Sequence, residues 1–394
     1  MATQSNLNNI NQYFTKNLHQ LIATEKSDEN VVYSPISLET ILALTYTGAS
    51  GQTADELRTA LGLPHNQTLV YQQFGPLMKS RRTENMKLQM ANKIYFKEGL
   101  KIKSSFRRRA KRYFDAEIER VLFTDKERTA NNINQWVAQK IKTGIFNQVI
   151  TDFLDEDALA LLGNAIYFKA KWAKEFSYRD TRCKHFLRKA CEYTPVEVMY
   201  HETCDHSYVE MMYQQDTFNY ADLSDELGAS VVQLPYADSE LSMLLVLPND
   251  VEGLAEVESR LRDIDLRKLP QRMRNERVDL HIPKFRIDIE LDMIKMLQKL
   301  QITSLFRNES GLAGIFGKQP AKISEVKHIA FLDTKEAASQ AVAATFVKAS
   351  FRSGPLAPAK SFIADHPFMF AIISPQAVYF VRQVVYPYMS CPLN

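Results

Sequence analysis

Nucleophilic hydrolysis needs a serine or cysteine held where a base can take its proton, and eight histidines with many serines make it the first chemistry to look for. No G-x-S-x-G elbow occurs, so an esterase or peptidase of that kind has no nucleophile to build on. Gly311 to Lys318, GLAGIFGK, is superficially a phosphate loop, but it is one residue too long and Gln319 stands where a Ser or Thr would hold magnesium. His201, Cys204 and His206, with Cys191 and Cys183 upstream, carry donors suited to zinc. H-E-T-C-D-H matches neither a zinc ribbon nor H-E-x-x-H, so a polar loop with incidental thiols is the expectation, with no metal and no other cofactor.

From Lys101 to Arg112 the chain reads KIKSSFRRRAKR. Its seven cations, Lys101, Lys103, Arg107, Arg108, Arg109, Lys111 and Arg112, come with no acid, while Phe106 and Ala110 fit one helix face. Such a cluster could hold a sulfated polysaccharide by summed Coulomb attraction; the plainer interpretation is a solvated helix face. The least ordinary segment is Glu336 to Ala349, EAASQAVAATFVKA. Ala-rich sequence is usually an exposed helix. As a strand, however, it places Ser339, Ala341, Ala343 and Thr345, all small, on one face that could enter a packed interior without overpacking it. An arginine, Arg352, follows before Ser353 and Gly354.

The elements around these residues point to a mixed fold. Ser37 to Thr47 and Ala54 to Leu61 have helical spacing, with Ser34-Pro35 as a start signal, and the front third is expected to be mostly helical. The first twenty residues lack a basic-then-apolar leader pattern and fit an amphipathic helix carrying Ile10, Tyr13, Phe14, Leu18 and Leu21 on one face. Ala165 to Phe168, Ser230 to Leu234, Ser242 to Leu247, Val278 to Ile282 and Val378 to Val385 fit strands, so the class is α+β. No repeat of about 20 to 50 residues and no low-complexity linker divides the chain, and one continuous domain over residues 1–394 is expected.

Composition agrees. With 45% apolar and 24% charged residues, disorder, collagen and coiled coil are disfavoured. Forty-nine Lys and Arg against 46 Asp and Glu give no ground for wholesale nucleic-acid binding. The longest apolar stretches are interrupted by Asn164 or by Pro375 and Gln376 and fall short of the ~18 residues of a membrane span, so a soluble chain is expected. Four cysteines, Cys183, Cys191, Cys204 and Cys391, leave the redox compartment open. The sequons at Asn66 and Asn308 would carry sugar only in an exported chain.

Several ordered motifs carry a resemblance. Asn30 to Ser37, NVVYSPIS, is followed by Gly48-Ala49 and by TADEL at Thr53 to Leu57. Then come ANKIY from Ala91 and INQWV from Ile133, and Asn164 to Lys169, NAIYFK, with Trp172 and Phe176. Leu234-Pro235-Tyr236, Ile282-Pro283-Lys284-Phe285 and DHPFMF from Asp365 complete the series. Over nearly its whole length the chain resembles the serpins. The resemblance implies three β-sheets with about nine helices and an exposed reactive loop, approximately residues 336–360. It implies a monomeric inhibitor, not an enzyme, whose partner is a trypsin-like serine protease and which involves neither nucleic acid nor membrane.

By the same resemblance the hinge is Glu336, Ala337, Ala338, Ser339, Gln340, Ala341, Val342, Ala343, Ala344 and Thr345, with Ala338 where the family usually has Gly. Counting the family's usual seventeen residues from Glu336 reaches Arg352, so Arg352-Ser353 is the expected scissile bond, with Lys348 and Lys360 as alternatives. Ser34, Ser37, Asn164 and His328 look like the family's polar cluster beneath the opening strands, and Lys284 with Trp172 lies where the hinge enters. Lys284 is expected to pair with Glu336 in the uncleaved form. A non-inhibitory carrier, storage protein or chaperone, or an inhibitor of cysteine proteases, is the alternative reading. The basic run follows the ANKIY strand, whereas the heparin site of antithrombin-like members precedes it, where this chain has Lys79, Arg81 and Arg82. An extracellular protein, its sequons available for sugar, is expected, with a cytoplasmic one as the alternative.

Overall fold

Ser34-Pro35 starts a helix for the reasons its residue types give. Ser34 is extended and its hydroxyl accepts from the Ser37 backbone N–H at 3.3 Å, while Pro35, with no N–H to leave unpaired, opens the first turn. A computed structural model describes residues 2–25, 29–78, 81–82, 85–141, 157–189, 192–196, 199–203, 206–334, 358–387 and 391. The helices are α1 (Ala2–Glu25), α2 (Pro35–Tyr46), α3 (Gly51–Leu61), α4 (Gln67–Phe74), α5 (Ser104–Phe114), α6 (Lys126–Ile141), α7 (Ser224–Leu227), α8 (Leu254–Leu261), α9 (Ile294–Lys299) and α10 (Ala313–Phe316). In chain order the strands are β1 (Val31–Tyr33), β2 (Arg81–Arg82), β3 (Met86–Lys97), β4 (Glu117–Val121), β5 (Ala160–Ala170), β6 (Arg182–Leu187), β7 (Glu192–Val196), β8 (Met199–Thr203) and β9 (His206–Leu223). They continue with β10 (Ala229–Pro235), β11 (Ser242–Pro248), β12 (Arg274–Pro283), β13 (Phe285–Asp292), β14 (Glu325–Thr334), β15 (Lys360–Ile363), β16 (Phe368–Ile373) and β17 (Val378–Val384).

Helix α2 is buried along its whole length, Ser37, Glu39, Thr40 and Thr45 included, and β17 and β5 pack on it. The front third is mostly helical, as expected, and also supplies the 12-residue strand β3 and its edge partner β4. A six-stranded sheet runs β13-β14-β5-β3-β2 with β4 on β3. Nine strands form β1-β17-β16-β11-β10-β9-β12-β15 with β6 also on β9. Two of the three expected sheets are therefore continuous, since the 18-residue β9 pairs with β10 at one end and β6 at the other. Hairpin β7–β8 stands apart from both.

Cys183 on β6 forms a disulfide with Cys391, 208 residues away, and the Cys391 N–H also donates to the Tyr208 carbonyl of β9. Its sulfur is thus unavailable to the zinc constellation weighed from sequence; Cys191 and Cys204 lie outside the described residues.

Candidate functional site

The six-stranded sheet contains one internal pairing of parallel strands. β5 and β14 run side by side from Leu161↔Glu325 to Phe168↔Leu332, while β3 on one side and β13 on the other pair antiparallel. Parallel ladders are slightly less stable per residue than antiparallel ones. β14 ends at Thr334, immediately before residues 335–357, which lie outside the described residues, and the described chain resumes two residues ahead of β15. A segment that folded back from Thr334 between β5 and β14 would run antiparallel to both, replacing one parallel ladder by two antiparallel ones.

Beneath that seam lies a closed polar cluster. His328 on β14 is the register partner of Asn164 on β5, and both are fully buried. The Ser34 backbone N–H donates to His328 Nε2 at 2.9 Å, so Nε2 must be unprotonated; Nδ1, 2.6 Å from Asn164 Oδ1, carries the ring proton. Burial lowers the His328 pKa to about 3, consistent with a neutral ring. Asn164 Nδ2 donates to Ser37 Oγ at 2.8 Å and to Asn92 Oδ1 at 2.7 Å. The structure thus brings Ser34, Ser37, Asn164 and His328 together. It adds Asn92, which faces Asn164 across β3–β5 and whose Nδ2 donates to the Phe114 carbonyl at 3.4 Å. β3 also carries Lys87, Gln89, Lys93 and Lys97, so sequence alone did not single out Asn92; its burial opposite Asn164 does, because a buried amide requires partners.

Trp172 and Lys284 lie at the far end of the seam. Trp172, two residues past β5, stacks on Tyr236 with ring centroids 4.7 Å apart. Lys284 adjoins the last β13–β14 pair, Phe285↔Thr334, and its Nζ lies 3.3 Å from Glu210 Oε1. Its expected partner Glu336 lies outside the described residues, as do the rest of the hinge to Thr345, Lys348, Arg352 and Ser353. Lys360 is the first residue of β15 and pairs with Val278. A protease needs an extended, unpaired substrate segment, so this placement argues against Lys360 as the scissile residue.

A model of the family described as Serpin (serine protease inhibitor) matches residues 9–387. The chain belongs to the serpins. It is 34% identical over 377 residues to Serine protease inhibitor 42Dd of Drosophila melanogaster, covering 95% of each chain. Among solved structures, Serpin48 of the insect Tenebrio molitor, described as highly specific, superposes with a TM-score of 0.82 at 30% identity over 97% of this chain and 98% of that one. Human thyroxine-binding globulin gives 0.84 at 25% identity over 98% and 99%. These neighbours establish the α+β serpin fold. The family consists mostly of protease inhibitors rather than enzymes, yet one relative is named for inhibition and one structural neighbour for binding thyroxine, so the fold alone selects no target.

The basic run of this serpin continues from Lys101 and Lys103, ahead of the helix, into α5. Phe106, Ala110 and Phe114 are buried, and Lys101, Lys103, Arg107, Arg108, Lys111 and Arg112 are exposed. Lys111 pairs with Asp115 at 2.5 Å, and Arg107 donates to the Ile118 carbonyl at 2.9 Å; Arg109 is half-buried. Asn66 caps α4, its Oδ1 accepting from the Thr68 N–H at 2.9 Å, and both Asn66 and Asn308 are exposed.

Proposed function

We propose that this serpin is a suicide inhibitor of a trypsin-like serine protease. The observation that carries the reading is the parallel β5–β14 seam, which leads directly into a segment of small alternating residues. The protease serine attacks the Arg352 carbonyl, the amine of Ser353 leaves, and an ester joins Arg352 to the enzyme. Residues from Glu336 onward then enter between β5 and β14, and the attached protease is carried off before water can cleave the ester. This protein supplies bait and stored strain.

The test is to mix the purified protein with trypsin and run a denaturing gel. A band at the summed mass with a new amino terminus at Ser353 is expected; cleavage without that band would overturn the reading in favour of a non-inhibitory carrier. The fragment that begins at Ser353 contains Cys391 and stays bonded to Cys183, so it separates from the body only after reduction.

The disulfide supports an oxidising, extracellular location, where the exposed Asn66 and Asn308 are open to glycosylation. In that setting the exposed face of α5 is suited to a sulfated polysaccharide. Replacing Lys103, Arg108 and Arg112 by alanine is expected to lower the salt needed to elute the protein from immobilised heparin, and to lower it more than removing three scattered lysines does. Equal shifts would mean that only net charge is sensed.

A further inference from the structure

Helix α6 lies across the seam through which the hinge would pass. Its Ile133, Trp136 and Val137 form one buried cluster with Tyr95 of β3, Leu161, Ala165 and Tyr167 of β5, and Ile329 and Phe331 of β14. A strand entering between β5 and β14 must therefore pass under this helix. A buried cation sits at the contact between the helix and the sheet. Lys93 of β3 is about 5% exposed, and its Nζ lies 2.6 Å from Glu119 and 3.7 Å from Glu117, both on β4. The same ammonium sits 4.8 Å from the Tyr95 ring centroid and 5.6 Å from that of Trp136 on α6. From the helix side, Asn132 donates to Glu119 at 2.5 Å and Lys140 pairs with Glu117.

We propose that Lys93 is a latch that holds α6 against the sheet and sets the rate at which a strand can pass beneath it. This rests on the insertion reading and adds a positioning residue to it. A buried ammonium is tolerated only while carboxylates and ring faces surround it, so lifting α6 strips away part of what offsets its desolvation. At the centre of the interface Trp136 Nε1 and Tyr95 Oη are buried without a hydrogen-bond partner among the described residues. The charged contact is therefore the directional part of the attachment.

A synthetic peptide of residues 336–349 carrying a fluorescent label is added to the intact, uncleaved protein, and its uptake is followed by the rise in the label's fluorescence anisotropy. Lys93→Met keeps the length and loses the charge; it is expected to take up the peptide about tenfold faster, while Lys93→Arg stays within about twofold of wild type. Should Lys93→Met fail to fold, Glu119→Gln, which leaves Glu117 in place, is expected to accelerate uptake several-fold. Uptake at the wild-type rate in a variant whose thermal midpoint has dropped would reduce Lys93 to a structural residue and overturn the latch. No uptake by wild type would overturn the insertion reading and the latch with it. Uptake by wild type, with or without acceleration in the variant, leaves that reading standing, so the two failures are distinguishable.

Discussion

Replacing Arg352 by alanine is expected to slow formation of the covalent complex with trypsin by on the order of 10³-fold or more. A pocket built around a buried carboxylate loses a charge-assisted, desolvated partner and leaves its own acid unpaired, the case in which specificity is largest. The second-order rate constant from progress curves measures it, and the denaturing gel shows whether any band remains. Arg352→Lys, which keeps the charge without the planar fork, is expected to retain much of the rate. An unchanged rate in Arg352→Ala, with the loss appearing in Lys348→Ala, would move the bond to Lys348. Lys360 enters no such contest, because β15 already engages it in a ladder with β12.

The second large effect concerns what happens after cleavage. Ala343→Arg is expected to leave the bond as cleavable as before while removing the covalent band, turning the inhibitor into a substrate. The small face of the hinge, with Ser339, Ala341, Ala343 and Thr345, has to enter a sheet whose inner side is packed by Ile166, Phe168, Ala330 and Leu332, all buried. Burying an arginine there without a partner costs several kcal/mol and opposes the gain from exchanging one parallel ladder for two antiparallel ones. The readout is the number of inhibitor molecules consumed per protease inactivated, which should rise from near one to about ten or more. A thermal scan of the cleaved product adds a second readout, since only an inserted strand raises its midpoint. An Ala343→Arg protein that still formed the complex in full yield would mean that this face is not the one that enters, and Val342→Arg would then be the informative change.

Much of the fold was legible in the chain. Ser34-Pro35 marked the start of α2, and the β-rich runs near residues 230, 242, 278 and 378 became β10, β11, β12 and β17 with their ends displaced by a few residues at most. These succeeded because capping, helical spacing and strand composition act over short stretches, where sequence and geometry are tightly coupled. The front third is mostly helical, as its spacing predicts, and the extent of β3, MKLQMANKIYFK, beyond the ANKIY motif is set by its pairing with β5 rather than by a period in the sequence. Of the polar cluster, Ser34, Ser37 and Asn164 lie in quoted motifs, His328 was named from the resemblance, and Asn92 was not named although it stands inside a quoted motif. Its role exists only through the β3–β5 register that sets it opposite Asn164.

What the sequence by itself determined is the set of parts: a largely apolar α2, small residues at alternate positions of the hinge, an arginine at the expected scissile position, and a basic helix with a single apolar stripe. Each is a property of neighbouring residues, and local chemistry is enough to specify it. Tertiary structure alone decided which strands lie side by side: the parallel seam of β5 and β14, the His328–Asn164 contact across it, Lys93 beneath α6, and the disulfide between residues 208 apart. Those pairings depend on the burial of whole faces against one another, a collective balance that no short stretch of chain encodes.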